Sequence, residues 1–179
     1  MPITLFDSKL HEAVEFTPLR SGEVSMYVCG PTVQSSPHVG HLRSALVYDL
    51  WSRWFTHRGY AVTLIRNVTD IDDKILEKSS ESGEEWWALA SRVESEFQAV
   101  ADALNIARPT LQPRATGDIP AMVELIETLI ERDHAYVAED GSGDVYFSVS
   151  SWESYGELTN QSVENLTQSE TESSAKRNP

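Results

Sequence analysis

Cys29-Gly30-Pro31-Thr32-Val33, His38-Val39-Gly40-His41 and Asn67-Val68-Thr69-Asp70-Ile71-Asp72-Asp73-Lys74 follow one another along the chain, and what separates them decides the fold. Val24 to Val28, leading into the first, is short, apolar and β-prone, and Gly30-Pro31 ends it abruptly. A loop runs to Pro37. From Gly40 the pattern turns helical: Leu46, Val47, Leu50, Trp51, Trp54 and Phe55 recur at i, i+3 and i+4 until Gly59 supplies a stop. Tyr60 to Arg66 reads as a second strand. Strand, helix, strand predicts an α/β fold built on a βαβ unit, with parallel strands and a right-handed crossover. The motifs then fall at the carboxyl ends of the strands, where open parallel sheets hold their ligands.

Working outward, Ile71 to Ser80 predicts a short helix. Trp86, Leu89, Ala90, Val93, Phe97, Val100 and Leu104 mark a longer amphipathic one, broken by Pro109 and Pro113. Asp118 is placed to cap a further helix with Pro120 in its first turn, and Ile119, Met122, Val123, Ile126, Leu129 and Ile130 give it a core-facing stripe. Ala135 to Val137 and Asp144 to Phe147 flank Gly141-Ser142-Gly143 and read as a hairpin. Ser, Thr, Gln, Asn and Glu dominate residues 158–179, which predicts a flexible linker and suggests a piece of a longer protein.

The 179 residues suffice for one domain with a small appendage. A net charge of −14 argues against a stand-alone nucleic-acid binder, because phosphate contacts need clustered Lys and Arg. The single cysteine excludes an internal disulfide and fits a reducing cytosol. The N-terminus has no basic segment followed by an apolar one, and no stretch is long enough to span a membrane. The chain is therefore expected to be cytoplasmic.

A helix opening at His38-Val39-Gly40-His41 offers unpaired N–H groups and the positive end of its dipole, which suits a phosphate. Gly40 allows close approach to the backbone, and two imidazoles at i and i+3 can donate to phosphate oxygens. Cys29, at a strand end, can bind zinc, act as a nucleophile or do neither. A zinc site needs three or four ligands, and no C-x-x-C or H-x-x-x-H lies nearby. Thr69 and Asp70 can hydrogen-bond an amino acid's ammonium or carboxylate. Asp70, Asp72 and Asp73 can equally form an acidic helix start.

Together Met26-Tyr27-Val28-Cys29-Gly30-Pro31-Thr32-Val33, Pro37-His38-Val39-Gly40-His41 and Arg66-Asn67-Val68-Thr69-Asp70-Ile71-Asp72-Asp73-Lys74-Ile75 resemble cysteinyl-tRNA synthetases of class I. Pro113-Arg114-Ala115-Thr116, Gly143-Asp144-Val145-Tyr146-Phe147 and Tyr155-Gly156-Glu157-Leu158 extend the likeness over nearly the whole chain. The resemblance implies a Rossmann-type catalytic core in residues 1–85 (the N-terminal half), a mainly helical connective insertion in 86–157, and the linker in 158–179. It implies activation of L-cysteine with ATP to cysteinyl-adenylate, then transfer to tRNA(Cys). His38 and His41 take the catalytic roles, and His38, Val39, Gly40 and His41 form the ATP-binding signature. On that resemblance Gly30 and Thr69 would line the cysteine pocket. By the same resemblance Cys29 would be the first ligand of a zinc ion that selects the substrate thiolate, a soft metal choosing a soft donor.

The signature has Val39 where the family commonly has Ile, and Gln34-Ser35 where many members have Tyr-Asp. The family's other zinc ligands, its K-M-S-K-S loop and its anticodon-binding domain have no counterpart in these residues. The chain is thus expected to be an N-terminal fragment, inactive alone and unlikely to hold tRNA by itself. Two other readings compete: a ligase joining cysteine to an amino-sugar in thiol cofactor biosynthesis, and a non-catalytic nucleotide-binding relic.

Overall fold

The computed structural model describes residues 2–161. In chain order they form β1 (Thr4–Asp7), β2 (Glu12–Glu15), β3 (Glu23–Val28), α1 (Val39–His57), β4 (Ala61–Arg66), α2 (Asp73–Ser82), α3 (Trp86–Ala103), α4 (Ala115–Glu131), β5 (Ala135–Val137) and β6 (Val145–Phe147). Two compact units result. One is Pro18–Ile119; the other joins residues 2–17 to residues 120–161.

In the first unit β3 and β4 pair in parallel, from Glu23 opposite Ala61 to Val28 opposite Arg66, with α1 as the connection. The βαβ expectation is met in element order and strand direction. Pairing continues past the strands: Val33 donates to the Thr69 carbonyl, Thr69 donates to the Pro31 carbonyl, and Thr32 faces Thr69. The segment after α3 runs parallel along the other side of β4. Arg66 N–H donates to Leu111 O and Val68 N–H to Pro113 O, and Ala115 N–H donates to Val68 O. Pro113 has no N–H to give back, so this ladder survives only as separate bridges at Leu111 and Arg114.

Two apolar clusters hold this unit. Val33 and Val68 from the strand-end loops meet Ile75 of α2 and Leu89, Ala90 and Val93 of α3. Ala45 of α1 meets Phe97 and Ala101 of α3, with Ile106 beyond it. Residues on both sides of position 85 therefore share one core, and the compact units do not divide at the boundary drawn from sequence between 85 and 86.

Two helical stripes face differently from expectation. In α1 the buried residues are Ala45, Asp49 and Phe55; Leu46, Val47, Leu50, Trp51 and Trp54 are exposed. α4 buries no residue fully, although its apolar positions recur as expected. Periodicity identified each helix, but the face that packs in α1 is one residue round from the large side chains. α4 also begins at Ala115 rather than after Asp118, which lies in its first turn, and Pro120 sits inside the helix. The start is set from elsewhere in the chain. The Asp70 carboxylate accepts Thr116 N–H at 3.0 Å and Thr116 Oγ1–H at 2.5 Å, capping the helix three residues before Asp118.

In the second unit β1 and β2 form an antiparallel hairpin that sequence patterning did not single out. β5 and β6 form the expected one, with Ala135 opposite Phe147. Of the linker read from sequence, Leu158 and Thr159 belong to a 3-10 turn, Glu157–Thr159. Asn160 Nδ2 donates to the carbonyls of Ser8 and Lys9. Its remainder, 162–179, lies outside the described residues.

Candidate functional site

The ends of β3 and β4 meet at Gly30. Its N–H donates to Asn67 Oδ1 at 2.8 Å, and a Cβ placed on it would stand 1.5 Å from the Asn67 carbonyl oxygen. No other residue type fits there, so the glycine fixes how closely the two motif loops approach. Beside this junction, between the start of α1 and the body of α3, lies a cavity of about 130 Å³. Cys29 and Gly30 line it from the end of β3, Gly40, His41 and Ser44 from α1. Arg66 of β4 and Phe97 of α3 complete it. The fold thus brings four of the sequence candidates, Cys29, Gly30, Gly40 and His41, to one cavity. His38, Val39 and Thr69 stand next to it in the chain without lining it.

The two histidines are organised as a unit. His38 is the N-cap of α1; its Nδ1 accepts Gly40 N–H at 3.1 Å, while His41 Nδ1 accepts His38 N–H at 3.5 Å. This is a capping box made of imidazoles, where serine and glutamate usually serve. The rings stack with centroids 3.7 Å apart. Gly40 makes room for them, since a Cβ there would come within 2.9 Å of His38 Cε1. Partial burial, and secondarily the neighbouring His38, hold the His41 pKa below the ordinary imidazole value. The helix has no acidic residue in its first turn, so its N-terminal N–H groups face no carboxylate there.

The acidic motif has a different outcome. Asp70 is buried and caps α4, and Asp72 caps α2 by accepting Lys74 N–H at 2.9 Å. Thr69 Oγ1 accepts from Asn67 Nδ2 at 3.4 Å, and its backbone is held in the strand-end pairing. The helix-start reading of these aspartates is the one the geometry carries.

Cys29 is a free, exposed thiol. Among the described residues no three His, Cys, Asp or Glu side chains stand close enough to hold a metal ion. One thiol alone does not complete a zinc site, which needs three or four ligands.

Sequence reasoning passed over two buried charges. Arg66 is 3% exposed, and its Nε and Nη2 have no hydrogen-bond partner among the described residues. Its guanidinium carbon lies 5.5 Å from the Phe97 ring centre. Burial first of all lowers its pKa, with Asp49 opposing and Arg108 adding to the fall. The signal was available: Arg66 falls in register beside Val28, on the face that also carries the buried Leu64, where period-2 alternation calls for an apolar side chain. Asp49, also 3% exposed, accepts Arg53 Nε–H at 2.8 Å and Ala107 N–H at 3.2 Å, tying α1 to the chain beyond α3.

The fold is shared with solved class I synthetases. Over 63% of this chain and 23% of the other, the structure superposes on Mycobacterium tuberculosis methionyl-tRNA synthetase in complex with methionyl-adenylate, with a TM-score of 0.56 and 25% identity. The Agrobacterium radiobacter K84 LeuRS, solved with tRNA and LeuAMS, shares the fold at a TM-score of 0.57 and 16% identity, over 74% of this chain and 21% of that one.

Residues 15–179 match the catalytic-domain model of the tRNA synthetases class I (C), and the chain belongs to that family. Curated relatives carry the name cysteine–tRNA ligase. The one from Leifsonia xyli subsp. xyli is 62% identical over 171 residues, covering 93% of this chain and 36% of the relative. That from Cutibacterium acnes is 52% identical over 176 residues, covering 98% and 36%. The chain spans about one third of the length of the curated relatives it matches. Among the described residues no helix is long and apolar enough to cross a membrane.

Proposed function

We propose that this chain supplies the N-terminal part of the catalytic site of a cytoplasmic cysteine–tRNA ligase. The complete protein joins L-cysteine to ATP as cysteinyl-adenylate and then passes the cysteinyl group to tRNA(Cys). The observation that carries this reading is the meeting of Cys29, Gly30, Gly40 and His41 at one cavity beside the α1 N-terminus. A relative of that name at 62% identity supports it.

ATP lies with its phosphates toward the His38–His41 turn. There the positive helix end favours the triphosphate. The cysteine carboxylate oxygen attacks the first phosphorus, a P–O bond forms, and pyrophosphate leaves with the electrons of the broken P–O bond. Charge accumulates on the phosphoryl oxygens during this step, and the imidazole N–H groups of His38 and His41 are placed to stabilise it. Gly30 and Thr69 shape the amino-acid side of the site. A substrate-selecting zinc ion would take Cys29 as one ligand and would draw its remaining ligands from the rest of the complete protein.

Cysteine-dependent ATP–pyrophosphate exchange tests this, run with added zinc and with serine as control. No exchange by the chain alone, and exchange with cysteine once the downstream part of a curated relative is added, is the expected result. Exchange under neither condition overturns the reading in favour of the relic. Cysteine-dependent exchange with an amino-sugar as the acceptor, and no charging of tRNA, overturns it in favour of the amino-sugar ligase.

A further inference from the structure

We propose that the outward face of α1 is a docking surface for the downstream part of the complete cysteine–tRNA ligase. The inference rests on reading the chain as the N-terminal part of that enzyme. Ala45 and Asp49 of α1 are buried. On the opposite side of the helix stand Val39, Leu46, Val47, Leu50, Trp51 and Trp54, each between 38% and 82% exposed. They recur at helical spacing and form one apolar stripe from the first turn of α1 to its last.

A helix that is apolar on its outer side as well as its inner one belongs in an interior. A continuous exposed apolar face marks a place where something else packs. The composition of this one is that of an interface centre, where Trp, Tyr and Arg carry most of the binding energy. Trp51 meets Tyr48 edge-on with ring centres 5.6 Å apart, and the Arg58 guanidinium lies over the Trp54 ring at 5.6 Å. Both indoles are held by their own helix, so they lose little freedom when a partner covers them.

Two occupants compete for the face, a second copy of the chain and the rest of the complete protein. Charge separates them. Asp49, the single acid of α1, is buried, while Arg43 and Arg58 fall within the stripe, one turn from Val47 and Trp54. Two α1 helices set face to face, parallel or antiparallel, bring arginine against arginine, and each copy carries a net charge of −14. Length points the same way. The match to the Leifsonia xyli relative covers 93% of this chain but 36% of the relative, whose larger part is left to supply the cover.

Hydroxyl-radical footprinting, read by mass spectrometry, compares the chain alone with the same chain continued into the downstream part of that relative. Oxidation of Trp51 and Trp54 is scaled to its rate in the unfolded chain. It is expected to be high in the chain alone and to fall, in the continued chain, to the level of buried Phe55. A charge on the face supplies a second reading. Leu50→Glu should leave the thermal melt of the chain alone in place and lower that of the continued chain. Unaltered oxidation of both tryptophans, in a continued chain that carries out cysteine-dependent exchange, overturns this inference and leaves the enzyme reading intact. Equal melting of the continued parent and its Leu50→Glu variant overturns it too. Protection in the chain alone that grows with concentration, with a doubled mass in sedimentation, overturns it in favour of a second copy. Protection in the continued chain without exchange supports the docking face and counts against the enzyme reading.

Discussion

The first turn of α1 and those of α2 and α4 are built from opposite materials. α2 begins on Asp72 and Asp73, and α4 begins on Asp70 with Asp118 in its first turn. In both, the protein's own carboxylates face the positive helix end. α1 begins on two imidazoles and carries no acid in its first turn. Its positive end meets no carboxylate from its own first turn. Two motifs that look equally functional in sequence therefore separate in structure: Asp70 and Asp72 cap helices of the scaffold, and the histidines cap a helix whose first turn has no acid.

The severest way to break this contrast is to remove what holds both regions together. Gly30→Ala drives a methyl group into the Asn67 carbonyl and forces the β3 and β4 ends apart. Denaturant unfolding should show a loss of about 3 kcal/mol or more, at the upper end for overpacking because the obstacle is backbone. Next in size, Asp70→Ala leaves the start of α4 without its buried cap and should cost about 2–3 kcal/mol. Asp72→Ala at the more exposed start of α2 should cost only about 1 kcal/mol. Equal losses at the two positions would mean that Asp70 is an ordinary cap.

A subtler change acts on the histidine side alone. Gly40→Ala displaces the His38 ring, which can swing away, so stability should move by less than about 1 kcal/mol. ATP affinity, read by calorimetry on the chain completed with its downstream part, should nonetheless fall. Unchanged affinity would place the phosphates elsewhere. The smallest effect is on pH dependence. The pKa of His41 is depressed in the folded state, so the unfolded chain binds the proton more readily. Stability is therefore unaffected well above pH 6.5, the ordinary imidazole value, and declines as pH falls through and below it. Thermal melts between pH 8 and 5.5 should show a shallower decline in His41→Asn than in the parent chain.

The strands, α1 and the parallel pairing were legible because alternation, helical period and Gly stops agree with one another from residue 24 to residue 66. The site was legible as far as its motifs, since strand ends in a βαβ unit converge. What sequence could not give was partnership across distance. Nothing local says that Asp70 caps a helix starting at Ala115, 45 positions later, and so α4 was placed to start too late. Period also names a helix without naming its packed face: small Ala45 and polar Asp49 point inward from α1, while Leu50 and Trp54 stay exposed. Arg66 stood in plain view as a charge on an apolar face, and its burial against Phe97 depends on a helix that sequence does not place.

The stacked imidazoles also have a fixed proton inventory. In each ring Nδ1 already accepts a backbone N–H, His38 from Gly40 and His41 from His38. A neutral ring with an accepting Nδ1 must carry its hydrogen on Nε2, so one tautomer is selected at both positions. Both outward nitrogens are then donors, and neither can turn round to accept. Two such donors pair with an oxygen that has lone pairs to share and find no partner in an ammonium group, which has none.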